Sequence, residues 1–91
     1  MVITTGDSIE GKRIVEYKGL VFGKSCTLDL HIYSDKEKYQ EFYARWVKDA
    51  EIALKRNAEK AGANAVIGVR QEVMSKSLVI LMLIGTAVVV E

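Results

Sequence analysis

Residues 78–90 are apolar at nearly every position and contain no charged side chain. Successive side chains of a strand point to opposite faces of its sheet, so a strand that is apolar at odd and even positions must be covered on both faces. The single long helix that the chain offers can cover one of these faces. We therefore expect a second copy of the chain to cover the other face.

That helix is predicted between about residues 35 and 61, where apolar side chains recur at steps of three and four. The positions of this apolar stripe are Tyr39, Phe42, Tyr43, Trp46, Val47, Ala50, Ala53, Leu54, Ala58 and Ala61. Aromatic residues come first and alanines later, so the second half of the helix can approach a neighbouring backbone closely. Gly62 follows the stripe, where helices commonly end in a left-handed residue.

Strand patterns lie before the helix. Residues 13–22 are strand-like, and Gly19 within them is predicted to be a β-bulge or a point of close approach. Residues 24–33 alternate between apolar and polar positions, with Cys26 on the apolar face. Cys26 is expected to be buried there as a small apolar residue. A bend between the two segments is predicted near Gly23.

A hairpin is predicted after the helix. Residues 65–74 alternate, with Ala65, Ile67, Val69 and Val73 on one face, and a short polar break separates them from the terminal apolar run. The order of elements predicts an α+β fold in which one long helix packs on an antiparallel sheet. The length of 91 residues leaves room for a single domain, residues 1–91.

Composition favours self-association over other partners. The hydrophobic fraction of 49% is high for so small an interior, whereas the net charge of +1 creates no field that would attract nucleic acid or anionic lipid. The apolar run of about 13 residues is shorter than the roughly 20 that a helix needs to cross a bilayer, so no membrane partner is expected. A single cysteine and no recognisable export signal predict a cytoplasmic protein.

Four segments resemble the YbjQ-like family, to which heavy-metal binding is attributed by inference. They are residues 3–5 (ITT), 9–19 (IEGKRIVEYKG), 61–69 (AGANAVIGV) and 85–90 (GTAVVV). The resemblance implies a β-α-β-β domain similar to the dodecin subunit, assembled as a homo-oligomeric ring, with a pentamer as the expected form. Residues 28–36 depart from the family because they lack the RD…GGRS stretch of many relatives. A site that depends on that stretch is altered or absent here.

Candidate metal ligands are few. Cys26 and His31 are five residues apart in the predicted strand, so their side chains point to opposite faces of the sheet. They cannot readily share one ion. His31 shares a face with Asp29, and this pair is the candidate metal site, although a solvated histidine explains the same pattern. One chain supplies too few ligands for a closed four-coordinate site, but a ring would repeat Asp29 and His31 around its axis. Met74 and Met82 suit Cu(I), or they serve as packing residues.

These observations predict a non-enzymatic oligomeric binding module whose ligand is unknown, with a divalent transition-metal ion as the candidate. The alternative is a structural homo-oligomer that presents the polar loop of residues 5–11 to a protein partner. A lone histidine without a partner set falls short of what hydrolytic or nucleophilic catalysis requires, so no enzyme is expected.

Overall fold

The computed structural model describes residues 1–27, 36–75 and 79–91 of the chain. Its elements, in chain order, are β1 (Val2–Ile3), β2 (Ile14–Thr27), α1 (Lys36–Lys60), β3 (Ala65–Ser75) and β4 (Val79–Val90). The described strands form one four-stranded sheet in the order β1-β3-β4-β2. The α+β class is thus confirmed. The sheet is mixed rather than wholly antiparallel, because β1 pairs parallel to β3 and is too short to show an alternation in the sequence.

Helix α1 closely matches the predicted helix. Its buried side chains recur at every fourth position and face the sheet: Trp46, Ala50, Leu54 and Ala58. The rings of Tyr43 and Trp46 form an edge-to-face pair, with a centroid distance of 6.1 Å and an interplanar angle of 81°. The alanines lie in the second half of the helix, where its backbone comes closest to the strands.

The helix ends as the sequence predicts. Gly62 adopts a left-handed backbone with a φ of 85°. The N–H of Gly62 donates to the carbonyl of Glu59, and the N–H of Ala63 donates to the carbonyl of Ala58, both over 3.0 Å. These two bonds satisfy carbonyls of the last turn, which have no partner within the helix.

The bend predicted near Gly23 is wrong. Strand β2 continues through this position and pairs with β4 as far as Thr27; residues 28–33 of the predicted strand lie outside the described residues. A Cβ atom at Gly23 would overlap the backbone of Ala50 and Leu54 in α1. Glycine is required here because the helix lies directly on the strand, not because the chain turns.

The bulge predicted at Gly19 is confirmed. The pairing of β2 with β4 shifts between Tyr17 and Gly19, and Gly19 has a φ of 100°. A left-handed residue of this kind fits glycine best, since it has no Cβ to clash.

A bulge in β3 was not predicted from the sequence. Gly68 has a φ of 60°, and the register with β4 shifts across it. Before the bulge, Ala65 and Ile67 face one side of the sheet; after it, Val69 packs with Val66 on the helix side. The prediction that Ala65, Ile67 and Val69 share one face is therefore wrong.

The hydrophobic core lies mainly between α1 and the sheet. The buried residues on this side are Val21, Trp46, Ala50, Leu54, Ala58, Ala63, Val66, Leu81, Leu83 and Ala87. A smaller cluster on the other side buries Ala65, Ile67 and Val88. Strand β4 is central in the sheet and contributes to both clusters, so the helix covers one face of β4, as expected.

Asn64 closes the end of the sheet. Its Nδ2 donates to the carbonyl of Val90 over 3.0 Å, and its Oδ1 accepts from the N–H of Val90 over 2.8 Å. From the sequence, Asn64 is most simply a helix-end residue bonded to nearby backbone; its partner is instead the last strand, far along the chain.

Candidate functional site

The sheet face turned away from α1, here called the open face, carries side chains of three strands. Residues opposite one another in neighbouring strands share a face, so the pairing register assigns them. The open face comprises Leu20, Phe22, Lys24 and Cys26 of β2, Ile80, Met82, Ile84 and Thr86 of β4, and Arg70, Glu72 and Met74 of β3.

Apolar exposure on the open face is contiguous. Leu20 is 80% exposed and Phe22 is 52% exposed, and each lies beside a half-buried residue of β4, Thr86 and Ile84 respectively. Single exposed apolar residues are ordinary on protein surfaces, whereas a continuous patch marks an interaction surface.

Charges of both signs flank this apolar patch. Lys24 of β2 and Glu72 of β3 lie on either side of Met82, and Arg70 lies beside Ile84 in the next row. A surface with both signs can meet another copy of itself without a net repulsion.

Cys26 lies on the open face and is exposed. The expectation that it is buried as a small apolar residue is therefore wrong for the isolated chain. Val21 and Gly23 of β2 point to the helix side and are buried, so the alternation of the strand sends Cys26 to the opposite side. Cys26 thus shares the uncovered face with Lys24; the residues predicted to share its apolar face, at positions 28, 30 and 32, lie outside the described residues.

The candidate metal ligands Asp29 and His31 lie outside the described residues. Within the described ranges, no group of three or more histidine, cysteine or acidic side chains is placed to hold a metal ion. Met74 and Met82 both lie on the open face, in neighbouring strands, and Met74 is 49% exposed.

The polar loop of residues 5–11 is anchored to the sheet. The N–H of Gly68 donates to the carbonyl of Gly6 over 2.8 Å, and the N–H of Lys12 donates to the carbonyl of Ile9 over 3.0 Å. Ile9 packs against the smaller hydrophobic cluster and helps to cover Val88 at one end of the open face. Asp7, on the same loop, remains exposed.

A cleft of about 320 Å³ lies on the helix side of the sheet, where α1 passes the outer edge of β3. Its walls come from β1 and the following residues, from α1, and from β3 and β4: Ile3, Thr4, Thr5, Val47, Glu51, Val69, Arg70, Gln71 and Leu83. These segments are far apart in the chain, so no local motif could have indicated the cleft.

The lining of the cleft combines aliphatic residues, here called the floor, with two residues of opposite charge, here called the rim. Glu51 and Arg70 carry opposite charges, and neither forms an ion pair with another described residue. Gln71, in contrast, donates from its Nε2 to the hydroxyl of Tyr43. Such a lining suits a ligand with an apolar centre and polar flanks.

Membrane insertion by a helix finds no support in the described ranges, where no helix is both long and apolar enough to span a bilayer.

The sequence of the chain matches a known family and several bacterial proteins. The family described as "C2 domain-containing protein 5, YbjQ-like domain" matches residues 1–91. A UPF0145 protein from Pasteurella multocida (strain Pm70) is 38% identical, over 99% of each chain. A UPF0145 protein from Clostridium kluyveri is 37% identical over the whole of both chains.

A solved structure shares the architecture. A protein of unknown function from Pediococcus pentosaceus ATCC 25745 superposes with a TM-score of 0.70, covers 100% of this chain and 98% of its own, and is 24% identical. At this identity the likeness concerns the fold alone. The match over the full length of the chain and the bacterial relatives above one-third identity lead to one conclusion: the chain belongs to the YbjQ-like family, together with the UPF0145 proteins.

Proposed function

We propose that this protein is a non-enzymatic binding module that works as a homo-oligomer, with the open face covered by a neighbouring copy. The observation that carries the proposal is the contiguous apolar exposure of Leu20 and Phe22 beside the half-buried side chains of β4. Burying a large apolar side chain stabilises an assembly by about 1.5–3 kcal/mol. Several such residues on one face supply a substantial driving force for association.

Strand β4 contributes to this interface through its face. Both of its edges are already paired, with β3 on one side and β2 on the other. The side chains of Ile80, Met82 and Ile84 therefore meet the neighbouring copy, while the alternate side chains stay in the core with α1.

The resemblance to the family supports a ring, with a pentamer as the proposed form and the cytoplasm as the proposed location. A ring would bring several copies of Asp29 and His31 around one axis, which would raise the number of ligands available to a single ion. A divalent transition-metal ion is accordingly the proposed ligand, and Asp29 and His31 are the residues proposed to hold it.

Lysine substitutions test the assembly. Leu20→Lys and Phe22→Lys place a charge in the proposed interface and should lower the native mass by releasing single copies. Ile52→Lys is the matched control, because Ile52 is also exposed, at 48%, but lies on α1 rather than on the open face. Equal masses for all three variants and the unmodified protein would contradict the proposal that the open face is the interface between copies.

Metal titration tests the ligand. The purified native protein is titrated with Zn²⁺, Cu²⁺ and Ni²⁺ and assayed for metal that co-purifies with it. Binding at micromolar concentration or below is expected, and it should be lost in the double variant Asp29→Ala with His31→Ala. Binding that survives this double substitution would refute the assignment of the two residues.

The alternative function, a scaffold that presents residues 5–11 to a protein partner, is favoured by the anchoring of that loop. The hydrogen bond from Gly68 to Gly6 and the packing of Ile9 hold the loop in place and leave Asp7 exposed. A native oligomer that binds none of the three metal ions, and whose pull-down partner is lost on Asp7→Lys, would favour this function over the first.

A further inference from the structure

We propose that the cleft beside α1 binds an extended peptide segment of a partner protein, which pairs with the outer edge of β3 and inserts one apolar side chain. The site lies on the helix side of the sheet, opposite the open face. Arg70 is the one residue named in both surfaces, since the pairing register places it on the open face and it also lines the cleft. The other lining residues of the cleft lie outside the proposed oligomer interface, so either proposal can fail without the other.

The backbone of β3 offers the pairing groups. The N–H of Val69 donates outward, to the carbonyl of Thr4 over 3.0 Å. Because backbone groups alternate along a strand, the N–H and C=O groups of Gln71 and Val73 also point outward. Strand β1 reaches only as far as Val66, and no described residue bonds to the outward groups of Gln71 and Val73. An unpaired edge of this kind is a template for an added strand.

The cleft supplies specificity beside that edge. Its aliphatic side chains, Ile3, Val47, Val69 and Leu83, can receive one apolar residue of the peptide. Glu51 and Arg70 stand at the rim without an ion-pair partner among the described residues. The expected ligand has a central aliphatic or aromatic residue, with a basic side chain on one side and an acidic side chain on the other.

A second copy of the chain fits this site less well. The outer edges of β1 and β2 are also unpaired among the described strands, and β2 is the longer of the two, so it could pair with β3. On the helix side, however, β2 presents Val21, which is buried in its own core, and Gly23, which lies against its own helix. A second copy would therefore pair with the backbone of β3 but leave the aliphatic floor unfilled. A free peptide can both pair with β3 and fill the floor.

The test begins with phage-displayed random nonapeptides selected on the native protein. The strongest peptide is synthesised with a fluorescent label, and its dissociation constant is measured by anisotropy. Each amide of the peptide is then N-methylated in turn. Because alternate amides face β3, methylation should weaken binding about tenfold at every second position and have little effect at the others.

Charge reversal tests the rim. Glu51→Lys and Arg70→Glu should each weaken binding of the same peptide severalfold, and exchanging the two charges of the peptide should restore its binding to the double variant. Glu59→Lys and Arg56→Glu are the controls, since both residues are exposed on α1 and outside the cleft. These control variants should bind the original peptide unchanged.

Three results would overturn the inference. The first is a selection in which Glu51→Lys and Arg70→Glu weaken the binding of none of the selected peptides. The second is a methylation series without alternation, which would indicate an apolar groove without strand pairing. The third is a fall in native mass caused by Glu51→Lys alone, because this edge would then be a contact between copies of the chain.

Discussion

At the scale of single residues, Gly23 shows how one position determines the packing of the largest element. The absence of a side chain lets the backbone of α1 rest on β2 at Ala50 and Leu54. The hydrogen bond from Asn57 Nδ2 to the carbonyl of Phe22, 2.6 Å long, fixes the helix at the same point. A side chain of any size at Gly23 would lift the helix from the strand.

Gly23→Ala should therefore lower the free energy of unfolding by about 2–3 kcal/mol, since the added methyl group overlaps backbone atoms that cannot move independently. Gly6→Ala is the control, because a Cβ there meets only ordinary contacts, the nearest at 3.6 Å. Urea denaturation at one protein concentration measures both variants. A Gly23→Ala midpoint equal to that of Gly6→Ala would show that the close approach is wrong.

At the scale of elements, the C-terminal end of α1 depends on the left-handed backbone of Gly62. Gly62→Ala should destabilise the protein by about 1 kcal/mol, because a side chain is strained in that conformation although there is space for it. Gly62→Asn should cost less, since asparagine adopts this conformation more readily. Thermal unfolding of both variants gives the comparison; an alanine variant as stable as the native protein would contradict the geometry of the helix end.

The sequence predicts those elements whose pattern has one interpretation. The apolar stripe of α1, the glycine after it and the hairpin of β3 and β4 all carry such a pattern, and the structure confirms them. In β3, apolar residues stand at both odd and even positions around Gly68. The alternation of apolar and polar residues therefore cannot reveal the bulge, after which side chains of the same parity point to the other face of the sheet. Gly23 is equally ambiguous, because a bend and a close approach both favour glycine.

The candidate sites were less predictable than the elements. The uncovered face of the sheet follows from the doubly apolar run of β4, and the sequence indicates it. The cleft does not follow, because Ile3, Glu51 and Arg70 come together only through the order of the strands and the path of α1. Patterns within one segment carry no information about such a juxtaposition.

At the scale of the whole molecule, the sheet has one covered side and one open side. Helix α1 and the core occupy the first, and the described residues cover the second only at its Val88 end, where Ile9 packs. The proposed assembly covers the rest of the open face, and the proposed peptide site stays accessible on the other side. The two surfaces can therefore serve self-association and partner binding at the same time.

The reactivity of Cys26 reports directly on this arrangement. Its thiol is exposed in the single chain and would be shielded by a neighbouring copy. Ellman's reagent should thus modify Cys26 several times more slowly in the native protein than in Leu20→Lys, with circular dichroism confirming that both are folded. Equal rates would mean that the open face stays uncovered in solution.

The most direct test of self-association is the native mass of the unmodified protein, measured by light scattering after size exclusion over a series of dilutions. The single chain has a mass of 10.1 kDa. The predicted result is a mass of two or more whole copies of the chain that persists on dilution. A folded, stable species of 10.1 kDa at every concentration would contradict the proposed assembly.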